Sequence, residues 1–143
     1  MFIKSALKLL LLISILLNSV SVQAINIITN SSVSLHSLST SQLRRIYSMR
    51  QTLWPNDQVI VVYVLPSKNK THREFSKKAL HMFPYQLDRI WNKLTYSGVG
   101  SAPVVVNSQK ELIEAVLHTR GAIGYSEYKI NNNQLNIITI KNE

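Results

Sequence analysis

The segment from Ser67 to Thr71 carries the residue types best suited to chemistry, and that chemistry is the binding of an anion. Pro66 breaks a β-branched run and a helical pattern follows, so the segment joins a strand end to a helix start. The unpaired N–H groups and the positive dipole end of a helix start favour an anion. Asn69 and Thr71 offer polar hydrogen bonds there, and Lys70 adds positive charge. The alternative is an ordinary helix N-cap in a solvated loop.

A second candidate site is the loop Ser97-Gly98-Val99-Gly100-Ser101. Backbone amides between small residues form a concave nest that takes an anion. Its candidate contacts are Gly98, Gly100 and Ser101, and Ser39, at the start of an earlier helix, is a further candidate. The alternative for this loop is a flexible connector between a helix and a strand.

Catalytic and metal-binding patterns are missing from the sequence. The histidines at positions 36, 72, 81 and 118 lack close metal-ligand spacing, and we interpret them as isolated surface residues. The carboxylates show no pairing that sequence can locate, and HExxH, GxSxG and P-loop patterns do not occur. We therefore expect a protein that is not an enzyme, with no cofactor and no catalytic or metal-binding residue.

The elements that must position these residues alternate between strands and helices. Strands are predicted at Ile25–Thr29, Val59–Leu65, Val104–Val106, Ala122–Tyr125 and Leu135–Ile140, and helices begin near Ser39, Thr71, Pro84 and Ser108. Two of the helix starts have a capping-box pattern, Ser39 with Gln42 and Ser108 with Glu111. The alternation predicts an α/β fold with a mixed sheet flanked by helices.

The first 24 residues have the layout of a secretory signal peptide. Lys4 and Lys8 precede an apolar run, and the segment ends in Val22-Gln23-Ala24. The run is too short for a membrane anchor, which needs roughly twenty apolar residues. We predict cleavage after Ala24, which leaves residues 25–143 as one domain in the periplasm without a stable membrane anchor. The chain has no cysteine, which excludes disulfides, thiolate metal sites and a lipid-anchored cleavage point.

Positive charge is the main bias in composition, with a formal net charge of +9. Such a surplus suits phosphate, acidic polymers or anionic surfaces, and export argues against nucleic acid as a partner. Arg44, Arg45 and Arg50 form a basic group on and after the first helix, either a solvated face or a polyanion contact. Trp91 lies on an apolar helical stripe with Leu87, so we expect it in the core and not on a stacking platform.

The order of motifs resembles that of the periplasmic phosphate-binding proteins of phosphate ABC transporters, especially short, single-lobe members of that superfamily. The resemblance covers about Ile25 to Tyr128. Its most specific parts are Tyr96-Ser97-Gly98-Val99-Gly100 and the box Gly121-Ala122-Ile123-Gly124-Tyr125, and the helix Leu38 to Tyr47 with Trp54 agrees with it. It implies a lobe of the type II periplasmic binding-protein fold, which closes on a ligand.

In that family the loop after the central strand holds phosphate with an Arg, an Asp and a Ser-Gly-Thr run. This chain has Leu65, Ser67 and Asn69-Lys70-Thr71 at those positions, so Thr71 is the residue that matches. The resemblance implies a solute-binding protein for phosphate or another small oxyanion, with an ABC permease or envelope protein as partner. The alternative is an interaction module that binds no small ligand and uses its basic surface to hold a protein or an acidic polymer.

Overall fold

A computed structural model describes residues 2–6, 8 and 23–142. Most of the predicted signal peptide lies outside these residues, so its cleavage and the domain boundary at residue 25 stay predictions. None of the helices within the described ranges is long and apolar enough to cross a membrane.

Within residues 23–142, six strands form one sheet, with four helices packed on it. The strands are β1 (Asn26–Asn30), β2 (Ser37–Ser39), β3 (Val61–Val64), β4 (Val104–Val105), β5 (Ala122–Ser126) and β6 (Leu135–Lys141). The helices are α1 (Thr40–Tyr47), α2 (Lys70–Ala79), α3 (Pro84–Ser97) and α4 (Gln109–His118). The strand order is β2-β6-β1-β5-β3-β4. The prediction of an α/β fold with a mixed sheet is confirmed.

Strand directions define two edges of this sheet. Strand β3 is parallel to β4 and β5, and β2 is parallel to β6. Strand β1 is antiparallel to both of its neighbours, β5 and β6. Five strands therefore point the same way. We call the edge at which these five strands end the carboxyl edge, and the edge at which they begin the amino edge.

Strand β5 is covered on both faces, because adjacent residues of a strand point to opposite sides. The Tyr125 ring stacks on Phe75 of α2 with centroids 3.9 Å apart, and Tyr47 of α1 lies 4.7 Å from Phe75. On the other face, a Cβ atom at Gly124 would lie 2.4 Å from Leu112 of α4. Glycine here lets α4 pack directly on the backbone of β5.

Most predicted elements are present, with differences at their ends. Both hydrogen bonds of the Ser39 capping box are present: the Gln42 backbone N–H donates to Ser39 Oγ, and the Ser39 backbone N–H donates to Gln42 Oε1. Helix α1 ends at Tyr47, because the chain turns through Met49 in the left-handed region (φ 61°). The short strand β2 was not predicted, since three residues are too few to show a strand period.

The two tryptophans are core anchors. The Trp54 indole N–H donates to the Gly121 carbonyl at 2.9 Å, and that of Trp91 donates to the Tyr47 carbonyl at 2.8 Å. Both rings are buried, which confirms the expectation for Trp91. The first hydrogen bond joins the loop after α1 to the residue before β5, and the second joins helix α3 to the end of α1.

Candidate functional site at the carboxyl edge

Helices α2 and α4 begin next to each other at the carboxyl edge, after the parallel strands β3 and β4. Ligands of open α/β sheets lie beyond the carboxyl ends of strands, where loops and helix starts meet. We define the carboxyl-edge site by five residues: Asn69, Lys70, Thr71, Gln109 and Ser126.

The first turn of α2 is capped by its own side chain. Asn69 Oδ1 accepts hydrogen bonds from the backbone N–H groups of Thr71 (2.8 Å) and His72 (3.3 Å). Lys70 is exposed, whereas Thr71 is only 4% exposed. The first turn contains no acidic side chain. An anion at this helix start would meet the Lys70 ammonium group and the positive end of the helix dipole. The nearest carboxylate along α2 is that of Glu74, which pairs with Lys78 at 2.6 Å and also interacts with the Lys70 charge.

Gln109 joins α2, α4 and β5 through its side-chain amide. Its Nε2 donates to Thr71 Oγ1 at 3.0 Å. Its Oε1 accepts from Ser126 Oγ at 3.1 Å and from the Glu127 backbone N–H at 2.8 Å. Because Thr71 Oγ1 accepts from Gln109, the Thr71 hydroxyl keeps its own hydrogen to donate. The amide thus fixes the threonine in position while leaving it one donor.

The other predicted site residues do not lie with this cluster. Ser39 is the last residue of β2, and four strand spacings separate β2 from β3, roughly 19 Å. Moreover, α1 meets the far end of α2, where Arg44 Nε donates to the Leu80 carbonyl at 2.6 Å. A single small oxyanion therefore does not reach both Ser39 and Thr71.

The loop Gly98–Ser101 lies at the opposite edge of the sheet. It follows α3 and precedes β4, and Gly100 and Ser101 line a cavity with Val59 and Ile60, just before β3. The length of β3 separates this loop from Thr71. The glycine loop and the start of α2 are therefore two separate candidate sites.

His72 corrects a further expectation, because it is fully buried and not on the surface. Its Nδ1 lies 2.5 Å from the Tyr125 hydroxyl oxygen, which also accepts from the Leu65 backbone N–H at 2.9 Å. We assign the tyrosine hydrogen to Nδ1, because the phenol then both donates and accepts, and this assignment puts the imidazole hydrogen on Nε2. Among the described residues, Nε2 has no hydrogen-bond partner.

The surroundings of this pair keep it neutral. Burial lowers the pKa of His72 to about 4, against a smaller opposite effect of the Asp88 carboxylate. Burial also raises the pKa of Tyr125 above its ordinary value, so the phenol keeps its proton. Asp88 itself accepts a hydrogen bond from Ser67 Oγ. The His72–Tyr125 pair therefore has a structural role, because it joins α2 to β5 next to Thr71.

Sequence reasoning missed Gln109, Ser126 and His72. The capping box from Ser108 to Glu111 indicates a helix start, and Ser108 Oγ does accept from the Glu111 N–H. That signal places Gln109 at a helix start but does not say which other helix lies beside it. Ser126 follows the Gly-Ala-Ile-Gly-Tyr box directly, so its position after a strand was the available clue.

Chemically, the carboxyl-edge site offers hydrogen-bond donors and positive charge. Within residues 2–6, 8 and 23–142, no group of three or more His, Cys, Asp or Glu side chains is arranged to hold a metal ion. The one carboxylate in the first turn of α4, that of Glu111, accepts from the Asn107 backbone N–H at 2.9 Å and so points back into its own loop. The arrangement is suited to hold an anion.

Comparison with solved structures identifies the fold. The chain is similar to a protein from Clostridium perfringens described as a phosphate ABC transporter substrate-binding protein, solved with bound phosphate (TM-score 0.66, 18% identity, 81% of this chain and 44% of that chain). It is also similar to an ABC-type phosphate transport receptor from Vibrio cholerae (TM-score 0.61, 20% identity, 81% and 45%). A third is PstS from Borrelia burgdorferi (TM-score 0.57, 19% identity, 82% and 47%).

These similarities confirm the fold that the sequence resemblance implied. The chain spans less than half the length of each of these three proteins. No protein-family model matches the chain, and no curated protein matches it by sequence.

Proposed function

We propose that the chain is an exported, non-enzymatic solute-binding lobe that holds phosphate or another small oxyanion at the carboxyl-edge site. The observation that carries this proposal is the meeting of two helix starts, joined by the Gln109–Thr71 hydrogen bond and with Lys70 exposed beside them. The solved structures with this fold support it, since one of them contains bound phosphate. An ABC permease is the partner that this function implies.

The proposed contacts are the Lys70 ammonium group and the free hydrogen of the Thr71 hydroxyl. Hydrogen bonds to a charged group are each worth about 1.5 to 3 kcal/mol. Losing both contacts should therefore weaken phosphate binding at least tenfold, since tenfold corresponds to about 1.4 kcal/mol. Asn69 contributes by capping the first turn of α2, which fixes the positions of Lys70 and Thr71, since its side chain accepts from two of the backbone N–H groups.

The test is a titration of the mature protein with phosphate and with sulfate. Calorimetry measures the affinity, and amide shifts in NMR spectra show which residues the ligand contacts. Lys70→Ala combined with Thr71→Ala is the test variant, and Lys77→Ala, which removes an exposed charge near the end of α2, is the matched control. We expect shifts at residues 69–71 and 109 in wild type and in the control, with affinity lost in the double variant. Circular dichroism checks that the double variant folds. Equal binding by wild type and double variant refutes the site.

A second candidate function is an interaction module that binds an acidic polymer or protein. The observation that favours it is the excess of positive charge. Within the described residues, Lys78 forms an ion pair with Glu74 (2.6 Å), and most other Lys and Arg side chains face solvent. Polyglutamate is a suitable probe. Attachment of this kind weakens steeply as salt rises, because exposed charges are screened. A discrete phosphate site instead saturates with one ligand per chain.

A further inference from the structure

Two adjoining cavities lie at the amino edge, around the glycine loop that the carboxyl-edge site does not use. Their volumes are about 430 Å³ and about 380 Å³. Both are lined by Met49, Leu94 and Val99, so they form one groove, which we call the amino-edge groove. Pockets for small molecules commonly measure about 300 to 1,000 Å³.

The walls of the groove are mainly apolar. Met49 comes from the turn after α1, Leu94 from α3 and Val99 from the glycine loop, and Ile60 and Ile90 add further apolar surface. The Val99 side chain is 82% exposed and forms part of the mouth. The loop lies close over α3, since a Cβ atom at Gly100 would be 3.3 Å from Leu94 Cδ2.

Met49 occupies an unusual backbone position for its side chain. Its φ of 61° lies in the left-handed region, in the position after a helix where glycine is preferred. A methionine there places a flexible, polarisable side chain in the wall shared by the two cavities. Such a side chain adapts its shape to an apolar ligand.

The rim of the groove is basic. Arg50 and Lys93 line the larger cavity, and no acidic side chain among the described residues lines either cavity. In the part of the chain that the structure describes, neither cation takes part in an ion pair. An apolar groove with two unpaired cations at its rim complements a molecule that has an apolar body and an anionic group.

We propose that the amino-edge groove binds a small amphipathic anion, a carboxylate with an apolar chain. The carboxylate pairs with Arg50 and Lys93, and the chain lies between Met49, Leu94 and Val99. A second copy of this chain fits less well, because a two-fold interface would bring the same cations of both copies together. The groove is at the opposite end of β3 from the carboxyl-edge site, so this proposal is independent of oxyanion binding there.

The test is calorimetric titration of the mature protein with decanoate, below the concentration at which it forms micelles. Decyltrimethylammonium, which has the same chain and the opposite charge, is the control ligand. We expect decanoate to bind and to shift the amide signals of Leu94 and Gly100, and the cationic ligand to leave them unchanged. Arg50→Gln with Lys93→Gln should weaken decanoate binding at least about tenfold. Lys110→Gln, at the start of α4, is the matched control for lost charge.

A second variant tests the groove without removing its cations. Val99→Asp puts a negative charge at the mouth, in an exposed position, and should abolish decanoate binding. Tyr96→Asp, at a side chain that is 89% exposed and outside both linings, is its control. The proposal is overturned if decanoate does not bind wild type, if the cationic ligand binds equally, or if the groove variants bind like wild type. It is also overturned if sedimentation shows a dimer that Val99→Asp separates.

Discussion

Acidification should destabilise this protein through His72. The imidazole is fully buried, contacts the Tyr125 hydroxyl through Nδ1 and has no described partner at Nε2. A second proton would have to be accommodated at Nδ1, in place of the hydrogen donated by Tyr125. The rings of Phe75 and Trp91, with centroids 6.4 Å and 6.1 Å away, offer little compensation for a buried charge. Asp88 is the carboxylate whose charge opposes the effect.

The size of the effect follows from the two pKa values of this histidine. An ordinary histidine has a pKa of 6.5, and burial lowers that of His72 to about 4 in the folded protein. The unfolded chain therefore binds more protons between these values, and the free energy of unfolding falls as the pH is lowered through that window. Each pH unit corresponds to about 1.4 kcal/mol, so the total loss is about 3 kcal/mol. Above pH 6.5 this contribution to stability is fully present.

Urea unfolding followed by circular dichroism at pH 7, 5.5 and 4.5 measures this loss. His72→Gln cannot titrate, so its stability should depend less on pH than that of wild type. Its deficit relative to wild type should shrink as the pH falls. His36→Gln, at an exposed histidine, is the control and should follow wild type. Parallel pH profiles for wild type and His72→Gln would refute the reasoning.

Three further predictions concern stability and processing. Gly121→Ala should cost about 1 to 3 kcal/mol more than Gly98→Ala in urea unfolding. Both glycines have positive φ, but an added Cβ at Gly121 would lie 2.2 Å from the Val59 carbonyl oxygen, whereas a Cβ at Gly98 would meet open space. Equal costs for the two variants would contradict this prediction. Leu65→Ala should cost about 2 to 5 kcal/mol by the same assay, because Leu65 is buried directly after β3. Intact-mass analysis of exported protein should show cleavage after Ala24, and a retained Met1 would contradict the signal-peptide prediction.

Much of the fold was predictable because local signals and tertiary packing agree. The run Val59 to Leu65 has no polar alternation, as expected of a strand covered on both faces, and its centre is β3. The Ser39 capping box marks the start of α1 to the residue. Strand β2 was missed because its three residues are held by pairing with β6, at the other end of the chain. No local pattern reports such a partner.

The candidate site was predictable in part, because its members come from separate segments. Asn69, Lys70 and Thr71 were found from one local pattern, a strand end followed by a helix start. The role of Gln109 depends on a contact with Thr71 across 38 positions, which only the packing of α2 beside α4 creates. The same limit explains the error over His72, since one polar residue in a helix does not show which face is buried.

The affinity of the carboxyl-edge site for phosphate depends on how few donors its internal hydrogen bonds leave for a ligand. Two charge-assisted contacts, from Lys70 and Thr71, give about 3 to 6 kcal/mol, whereas association of two molecules costs about 4 kcal/mol or more. Displacing the Asn69 cap gains little, because a ligand would only replace bonds that already exist. Free phosphate should therefore bind weakly to the open edge. Tight binding requires a second surface that covers the anion and removes it from water, which strengthens each charged contact.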